Sequence, residues 1–161
     1  MSRGEAARTY FLKGYNCTQS VVLAFSDRIG LDEETLARLC SPFGGGMGRM
    51  REVCGTVTGM YLVLGYLYGY ADPKALQKKR ELYAQVQQLA EAFRKENGSI
   101  ICRQLLSGAG VAVSDDPKAE ARTVQYYKKR PCADLCAFAA DLLEKYINTL
   151  DKEQKDENDN G

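Results

Sequence analysis

Histidine is absent from the sequence of 161 residues. Without it the chain cannot form a Ser-His-Asp triad, a Cys-His nucleophile or a metal site with imidazole ligands. Any transition-metal site must therefore use cysteine thiolates, carboxylates, backbone carbonyls or water. The opening segment MSRGEAARTYF also lacks the apolar core of a secretory signal, so we expect a cytoplasmic protein.

Strand signals are also scarce, since β-branched residues are few and no two-residue apolar alternation is sustained. We therefore predict an all-α fold, a single-domain bundle of about six to eight helices in residues 1–150. Residues 151–161 hold five acids, two lysines and no apolar residue, a composition typical of a disordered acidic tail. The rest of the chain carries an excess of only four positive charges, which is too few to indicate nucleic-acid binding.

Residues 53–71 contain no charged side chain over 19 positions. This length is enough to cross a membrane, but the run includes two threonines, four glycines and four tyrosines, and the chain offers no second span. We therefore predict no membrane span and interpret the run as the buried, Gly-rich, apolar central helix of the bundle. Two glycine pairs with a spacing of four would let neighbouring helices approach closely: Gly55 with Gly59, and Gly65 with Gly69.

A glycine-rich stretch, SPFGGGMGRMREVC, leads into that central helix. Glycines permit positive φ and close backbone approach, and a loop before a helix presents N–H donors to a bound group. The stretch does not match the GxxxxGK[ST] phosphate loop and follows no strand, so we do not favour nucleotide binding. Arg49, Arg51 and Glu52 stand beside tiny residues, and we favour a site role for them over a plain ion pair. The residues that we expect at a cofactor are Gly44, Gly45, Gly46, Gly48, Arg49 and Gly55.

The chain has six cysteines, which in a cytoplasmic protein are more typical of redox, catalytic or metal sites than of permanent disulfides. Four fall in or near the first turn of a predicted helix, where N–H groups and the helix dipole favour a thiolate and lower the thiol pKa. For Cys17 the helix start is marked by a capping box between Asn16 and Gln19. We predict that Cys40 and Cys136 are buried structural thiols. The four that we expect to converge around the glycine loop are Cys17, Cys54, Cys102 and Cys132.

Two chemistries would use these four thiols. The first is ligation of a metal ion or an iron–sulfur cluster by thiolates, and the second is thiol–disulfide redox without a cofactor. Both usually use a CxxC pair, which this chain lacks, so the spacing alone does not separate them. A third alternative, from another class, is a structural metal-binding or interaction module that transfers no electrons.

Four segments resemble a family of redox-active proteins named for its C_GCAxxG_C_C cysteine pattern. The resemblance covers nearly the whole chain up to about Leu150, and Thr56 is a departure, because the family motif has alanine there. The family's four cysteines correspond to the four chosen above from helix starts. The matching segments are GYNCTQSVV (Gly14–Val22), FGGGMGRMREVCGTVTG (Phe43–Gly59), GSIICRQLL (Gly98–Leu106) and RPCADL (Arg130–Leu135).

The resemblance implies a redox protein whose four cysteines hold an iron or iron–sulfur centre, because the family is also similar to the non-haem part of split-Soret-type cytochromes. Haem is not implied, since the chain has no CxxCH motif, and zinc is less favoured than iron. The resemblance also implies an unidentified redox partner with a link to transporters. The apolar central helix and the many tyrosines allow a homodimer, and the sequence leaves open whether the protein is an enzyme.

Overall fold

Eight α-helices form the fold in a computed structural model that describes residues 1–161. There is no β-strand, only an isolated antiparallel bridge between Val53 and Ile101, so the predicted all-α fold is confirmed. The turn Gly44–Met47 is treated as part of the glycine loop, because Gly45 and Gly46 have non-helical positive φ. The helices are α1 Arg3–Leu12, α2 Cys17–Leu23, α3 Glu33–Cys40, α4 Gly55–Tyr68, α5 Leu76–Asn97, α6 Cys102–Gly108, α7 Val124–Lys129 and α8 Cys132–Asp159.

Local capping sets the starts of the first three helices. The side chains of Ser2, Asn16 and Asp32 each accept a hydrogen bond from the backbone N–H three residues later, which satisfies a donor that the helix leaves unpaired. The predicted capping box before Cys17 is present. These starts follow from side chains close in sequence.

The end of α2 differs from the prediction, which extended this helix to about Ile29. The helix stops at Leu23, and a 3-10 turn, Ser26–Arg28, follows. The carbonyl of Ala24 accepts a hydrogen bond of 2.8 Å from the Arg3 guanidinium. That guanidinium also lies 4.7 Å from the centre of the buried Phe25 ring. Because a distant arginine takes this carbonyl, the helix ends earlier than its own sequence indicates.

The central helix α4 packs against α2, α5 and α8, and Val57, Met60, Val63 and Leu64 on it are fully buried. It has 14 residues, and no helix of the protein is long and apolar enough to span a membrane. The first glycine pair packs closely as predicted, since a Cβ at Gly55 would lie 2.7 Å from Thr18 Oγ1. The second pair does not, because a Cβ on Gly65 would meet nothing within 4 Å.

The last helix, α8, packs along α1 and forms one side of the core. At this contact the Gly4 N–H donates a 2.7 Å hydrogen bond to Asp141. We expected α8 to end at about Leu150, but it continues to Asp159. Every residue after Asp151 is exposed, so this extension is a solvent-facing helix rather than the coil that its composition predicts. The division of the chain at residue 150 into a helical domain and a tail stays a prediction.

Residues 111–123 form an extended segment, which we call the strap. We predicted a helix over Lys118–Lys129, but only α7, from Val124, is helical. The helix starts there because the Thr123 side chain caps it by accepting a hydrogen bond from the Tyr126 N–H, while Arg122 just before it donates to the Phe11 and Tyr15 carbonyls. Arginine side chains from elsewhere hold the first half of the strap. The Arg49 side chain donates to the Asp116 carbonyl at 2.6 Å, and Arg51 donates to the Ser114 carbonyl at 2.9 Å.

Candidate functional site

The four cysteines selected from the sequence line one cavity of about 310 Å³. Cys17, Cys102 and Cys132 are the first residues of α2, α6 and α8, and Cys54 is the N-cap of α4. Three of these side chains are buried and Cys17 is partly exposed, and all are free thiols. The structure therefore brings together the thiols of four helix starts that are distant in sequence.

Two chain segments that run antiparallel join the starts of α4 and α6. The Cys54 N–H donates to the Ile100 carbonyl at 2.8 Å, and the Cys102 N–H donates to the Glu52 carbonyl at 2.6 Å. The bridge between Val53 and Ile101 lies between these bonds. Sequence reasoning missed this connection, although the β-branched residues immediately before each cysteine were a signal for it.

The glycine loop makes a left-handed turn against the thiols. Every residue from 45 to 49 has a φ between +59° and +69°, and Arg51 has a φ of +62°. A Cβ at Gly46 would lie 2.6 Å from Cys102 Cβ, and a Cβ at Gly44 would lie 2.5 Å from the Asn16 side chain. Glycine is thus required at both positions, because the backbone itself forms the cavity wall there. All the glycines that we predicted at a cofactor line this cavity, as does Arg49.

Burial controls the ionisation of the thiols, contrary to our expectation of lowered pKa values. It raises the pKa of Cys54 to about 11, although the Thr56 hydroxyl, 3.1 Å from the sulfur, acts in the opposite direction. Burial also raises the pKa of Cys102 and outweighs the nearby Arg51 guanidinium, whose Nη1 is 3.7 Å from the sulfur. In the reduced protein without a bound metal, these two thiols are therefore neutral at neutral pH.

The thiols of Cys17 and Cys132 are neighbours that affect each other's ionisation. Interaction with the Cys17 thiol is the largest cause of the raised pKa of Cys132, and burial adds to it. For Cys17, interaction with the Cys132 thiol lowers the pKa. Interaction with Cys136 and burial raise it by more, so the pKa of Cys17 is well above its usual value. Among the four cavity thiols, Cys17 and Cys132 are therefore a pair that a disulfide could join.

The remaining two cysteines lie off the cavity wall, as the sequence predicts for structural thiols. Cys136 is fully buried, and its thiol is 4.0 Å from the Cys17 carbonyl oxygen. Cys40, at the end of α3, is buried in the core, and burial raises its pKa to about 11. Cys40 acts as a small apolar side chain here, whereas Cys136 also interacts with the Cys17 thiol.

Four arginines and one acid also line the cavity. Arg51 is only 3 % exposed, and its Nη2 is buried without a hydrogen-bond partner. Neither Arg51 nor Arg49 forms the ion pair with Glu52 that the sequence allowed. The site role that we favoured for these arginines fits their places on the cavity wall, whereas Glu52 is exposed and not part of that wall.

Sequence reasoning missed Arg122, which the strap brings to the cavity, whereas Arg130 was already evident as a charge beside Cys132. Arg122 lies 4.4 Å from the centre of the Phe11 ring and donates to the Phe11 and Tyr15 carbonyls at 3.2 and 3.1 Å. Arg130 forms a salt bridge of 2.5 Å with Glu120 and lies 4.6 Å from the centre of the Tyr126 ring. A signal was available, since Arg122 and Arg130 each stand four residues from Tyr126.

The four cavity thiols do not fit a single metal ion. They better fit a larger group that several thiolates hold together. No three Cys, Asp or Glu side chains come together in a way that could hold one metal ion. A single zinc ion would need each ligating sulfur at about 2.3 Å from the metal. The four thiols instead line a cavity of about 310 Å³, about ten times the roughly 30 Å³ that a water occupies in the liquid. Thiols, together with arginines that would offset negative charge, are ligands and surroundings that fit an iron–sulfur cluster.

Comparison with known proteins gave one family. A family model described as "Putative redox-active protein (C_GCAxxG_C_C)" matches residues 15–146, which is well over half of the chain and includes the four cysteines on the cavity wall. No curated protein and no solved structure gave a match.

Proposed function

The chain belongs to the C_GCAxxG_C_C family of redox-active proteins, and we propose that its four cavity cysteines hold an iron–sulfur centre. The observation that carries this proposal is that four separate helix starts place their thiols on one cavity. Such a centre supplies one-electron transfer when bound. The ligands would be Cys17, Cys54, Cys102 and Cys132.

The raised thiol pKa values disfavour free thiol chemistry at neutral pH. A thiol–disulfide exchange needs a thiolate as the attacking group, whereas burial keeps Cys54 and Cys102 neutral at neutral pH. A metal ion removes the proton from the thiol that it binds. The positive charge of Arg130 would favour an ionised sulfur at Cys132.

Anaerobic purification followed by absorption spectroscopy and analysis of iron and acid-labile sulfide tests the proposal. We expect broad visible absorption with both elements in the wild-type protein and their loss in Cys54→Ser. Cys40→Ser is the matched control, because Cys40 is equally buried but lies away from the cavity, and it should keep full iron content. Zinc without colour, or iron that survives Cys54→Ser, would contradict the proposal.

A second candidate function is cofactor-free disulfide redox, which the neighbouring thiols of Cys17 and Cys132 favour. Oxidation would join the two sulfurs and release two protons and two electrons, the electrons passing to an oxidised protein partner. The bond would close a loop from residue 17 to residue 132 and stabilise the oxidised protein by about 4–5 kcal/mol.

Titration of alkylatable thiols before and after reduction, with peptide mapping, tests this candidate. Under this function Cys132→Ser removes the oxidised pair, while Cys136→Ser, one helical turn away on α8, keeps it. A metal-free protein whose thiol count does not rise on reduction would exclude it.

The proposed function also includes a cellular location, a redox partner and a dimer. We propose a cytoplasmic protein that exchanges electrons with a redox partner linked to transporters, and that holds no haem. We also propose a homodimer through the outer face of α4, where Leu62 and Tyr66 lie one turn apart and are exposed. Light scattering of Tyr66→Glu against the wild type tests this, since only the wild type should have the mass of two chains.

A further inference from the structure

Arg51 is a buried cation whose partners do not account for all its donors. Its Nε donates to the Ser114 carbonyl at 2.9 Å, and Nη1 lies 3.7 Å from Cys102 Sγ. Its Nη2 is buried and has no hydrogen-bond partner. A guanidinium stays charged in proteins, and a buried donor left unpaired costs about 1–3 kcal/mol. Arg51, a residue of the cavity wall, therefore has one N–H donor group that no acceptor of the protein satisfies and that a bound ligand could satisfy.

The charge of the cavity wall also favours a bound anion. Among its four arginines, Arg130 alone has a carboxylate partner, the cavity's one acid Glu120. Arg49 and Arg122 bond to backbone carbonyls only, and Arg51 has no acidic partner. The protein as a whole has a formal net charge of +1. Positive charge is therefore concentrated in the cavity, and an anion would compensate it.

We propose that the cavity binds a small oxyanion, with Arg51 Nη2 as its fixed donor and the guanidinium groups of Arg122 and Arg130 supplying positive potential. The forked donors of arginine match the oxygen atoms of a sulfate-like or carboxylate group. The strap contributes Arg122 and Glu120 to the wall. This inference goes beyond the proposed function, because it rests on Arg51 and on no property of a bound metal.

The proposed anion would lie close to one of the four cavity thiols. Arg51 lies between the strap carbonyl of Ser114 and the sulfur of Cys102. An oxyanion on Nη2 would therefore bind the same guanidinium that contacts the Cys102 thiol. The ligand class is thus a small anionic molecule, either an inorganic oxyanion or an organic carboxylate, at the redox site.

Calorimetric titration of the full-length, reduced, metal-free protein with sodium sulfate and with sodium acetate at constant ionic strength tests the inference. We expect saturable binding of at least one anion, and the tighter one tells whether the site takes an inorganic oxyanion or a carboxylate. Arg51→Gln should weaken this binding by at least about tenfold, since it removes a charge-assisted hydrogen bond. Arg103→Gln, which removes an exposed arginine outside the cavity wall, should bind as the wild type does.

Arg51→Lys provides a second variant if Arg51→Gln does not fold. It keeps the charge but loses the forked donor, and weaker binding is expected. Absence of saturable binding by the wild type, or equal binding by a folded Arg51 variant, would overturn the inference. Cys102→Ser separates this inference from the proposed function: it should lose iron but keep anion binding, so either proposal can fail without the other.

Discussion

At the scale of single residues, the cysteines are governed by competition between burial and the helix dipole. A helix N-terminus stabilises a charge by about 0.3–1 kcal/mol at an exposed position, and one unit of pKa corresponds to about 1.36 kcal/mol. Burial raises the pKa of Cys54 from 9.0 to about 11 despite its place at a helix start. Burial is therefore the larger effect, and ionisation of the site depends on what binds there.

Cys40 allows this burial effect to be measured away from the site. Its folded-state pKa is about 11 against an ordinary value of 9.0, so the folded protein favours the neutral thiol. The corresponding stability is fully present below pH 9 and is lost as the pH rises towards 11. We expect Cys40→Ala to be less stable than the wild type at pH 7 by about 1 kcal/mol because of lost packing. The difference should shrink above pH 9 and change sign before pH 11, because a pKa raised from 9.0 to about 11 corresponds to roughly 2–3 kcal/mol.

Urea unfolding of the reduced, metal-free proteins at a series of pH values measures this difference. Only the gap between the two proteins is interpreted, because tyrosines and lysines titrate in the same range in both. A gap that stays constant from pH 7 to pH 11 would contradict a raised pKa for Cys40.

Gly46 is the residue at which the glycine loop tolerates change least. It has a φ of +69°, and an added Cβ would lie 2.6 Å from Cys102 Cβ and 2.8 Å from Arg51 Cα. We expect Gly46→Ala to lower the free energy of unfolding by about 2–5 kcal/mol, from left-handed strain together with overpacking. Gly110 has a φ of +73° with nothing within 4 Å of an added Cβ, so Gly110→Ala should cost only about 1–2 kcal/mol. Equal losses in chemical denaturation would contradict the close approach to Cys102.

At the scale of elements, the central helix α4 combines two kinds of glycine. A Cβ at Gly59 would lie 2.9 Å from Val21 Cβ, so this glycine allows α2 to pack closely, whereas Gly65 faces open space. We expect Gly65→Ala to stabilise the protein by about 1 kcal/mol, because alanine is the better helix former. Gly59→Ala should destabilise it by roughly 1–2 kcal/mol, since overpacking exceeds the same gain in propensity. The measurement is the urea midpoint of each variant, and shifts in the same direction would contradict this assignment.

The elements also show which features are predictable from sequence. The start of α2 was predictable because Asn16 and Gln19 cap it locally. Its end was not, because Arg3, which is 21 residues away from Ala24, takes the Ala24 carbonyl. The helix predicted from Lys118 begins only at Val124, where Thr123 caps it locally, and the side chain of Arg122 before it binds carbonyls more than 100 residues away. Not every local signal was reliable, since we predicted caps at Asp72 and Ser99, but α5 begins at Leu76 and α6 at Cys102 without a side-chain cap.

At the scale of the whole molecule, composition conceals the distribution of charge. The formal net charge of +1 gives no hint that one cavity contains four arginines and one acid. The four cysteines were predictable because helix starts share a local signal. Arg122 of the strap was not, because only the folded chain brings it to the thiols, whereas Arg130 stands two residues before Cys132 in the sequence.

The acidic end of the chain tests how far the folded unit extends. Asp151 accepts a hydrogen bond from the Tyr68 hydroxyl and lies 3.6 Å from the Arg28 guanidinium, whereas residues 152–161 are all exposed. Removal of residues 152–161 should therefore change the free energy of unfolding by less than about 0.5 kcal/mol. Removal of residues 150–161 also deletes Leu150 and Asp151, leaves Tyr68 without its acceptor, and should cost about 1–3 kcal/mol.

Thermal and urea unfolding of the two truncated proteins and the full-length chain distinguish these expectations. If the shorter deletion alone destabilises the protein as much as the longer one, the exposed turns of α8 contribute to the fold in a way that burial does not indicate. If neither deletion has an effect, the contacts of Tyr68 and Arg28 with Asp151 contribute nothing measurable, as is common for partly exposed pairs. The expected result, a loss only when Asp151 is removed, places the end of the stabilising core at that residue.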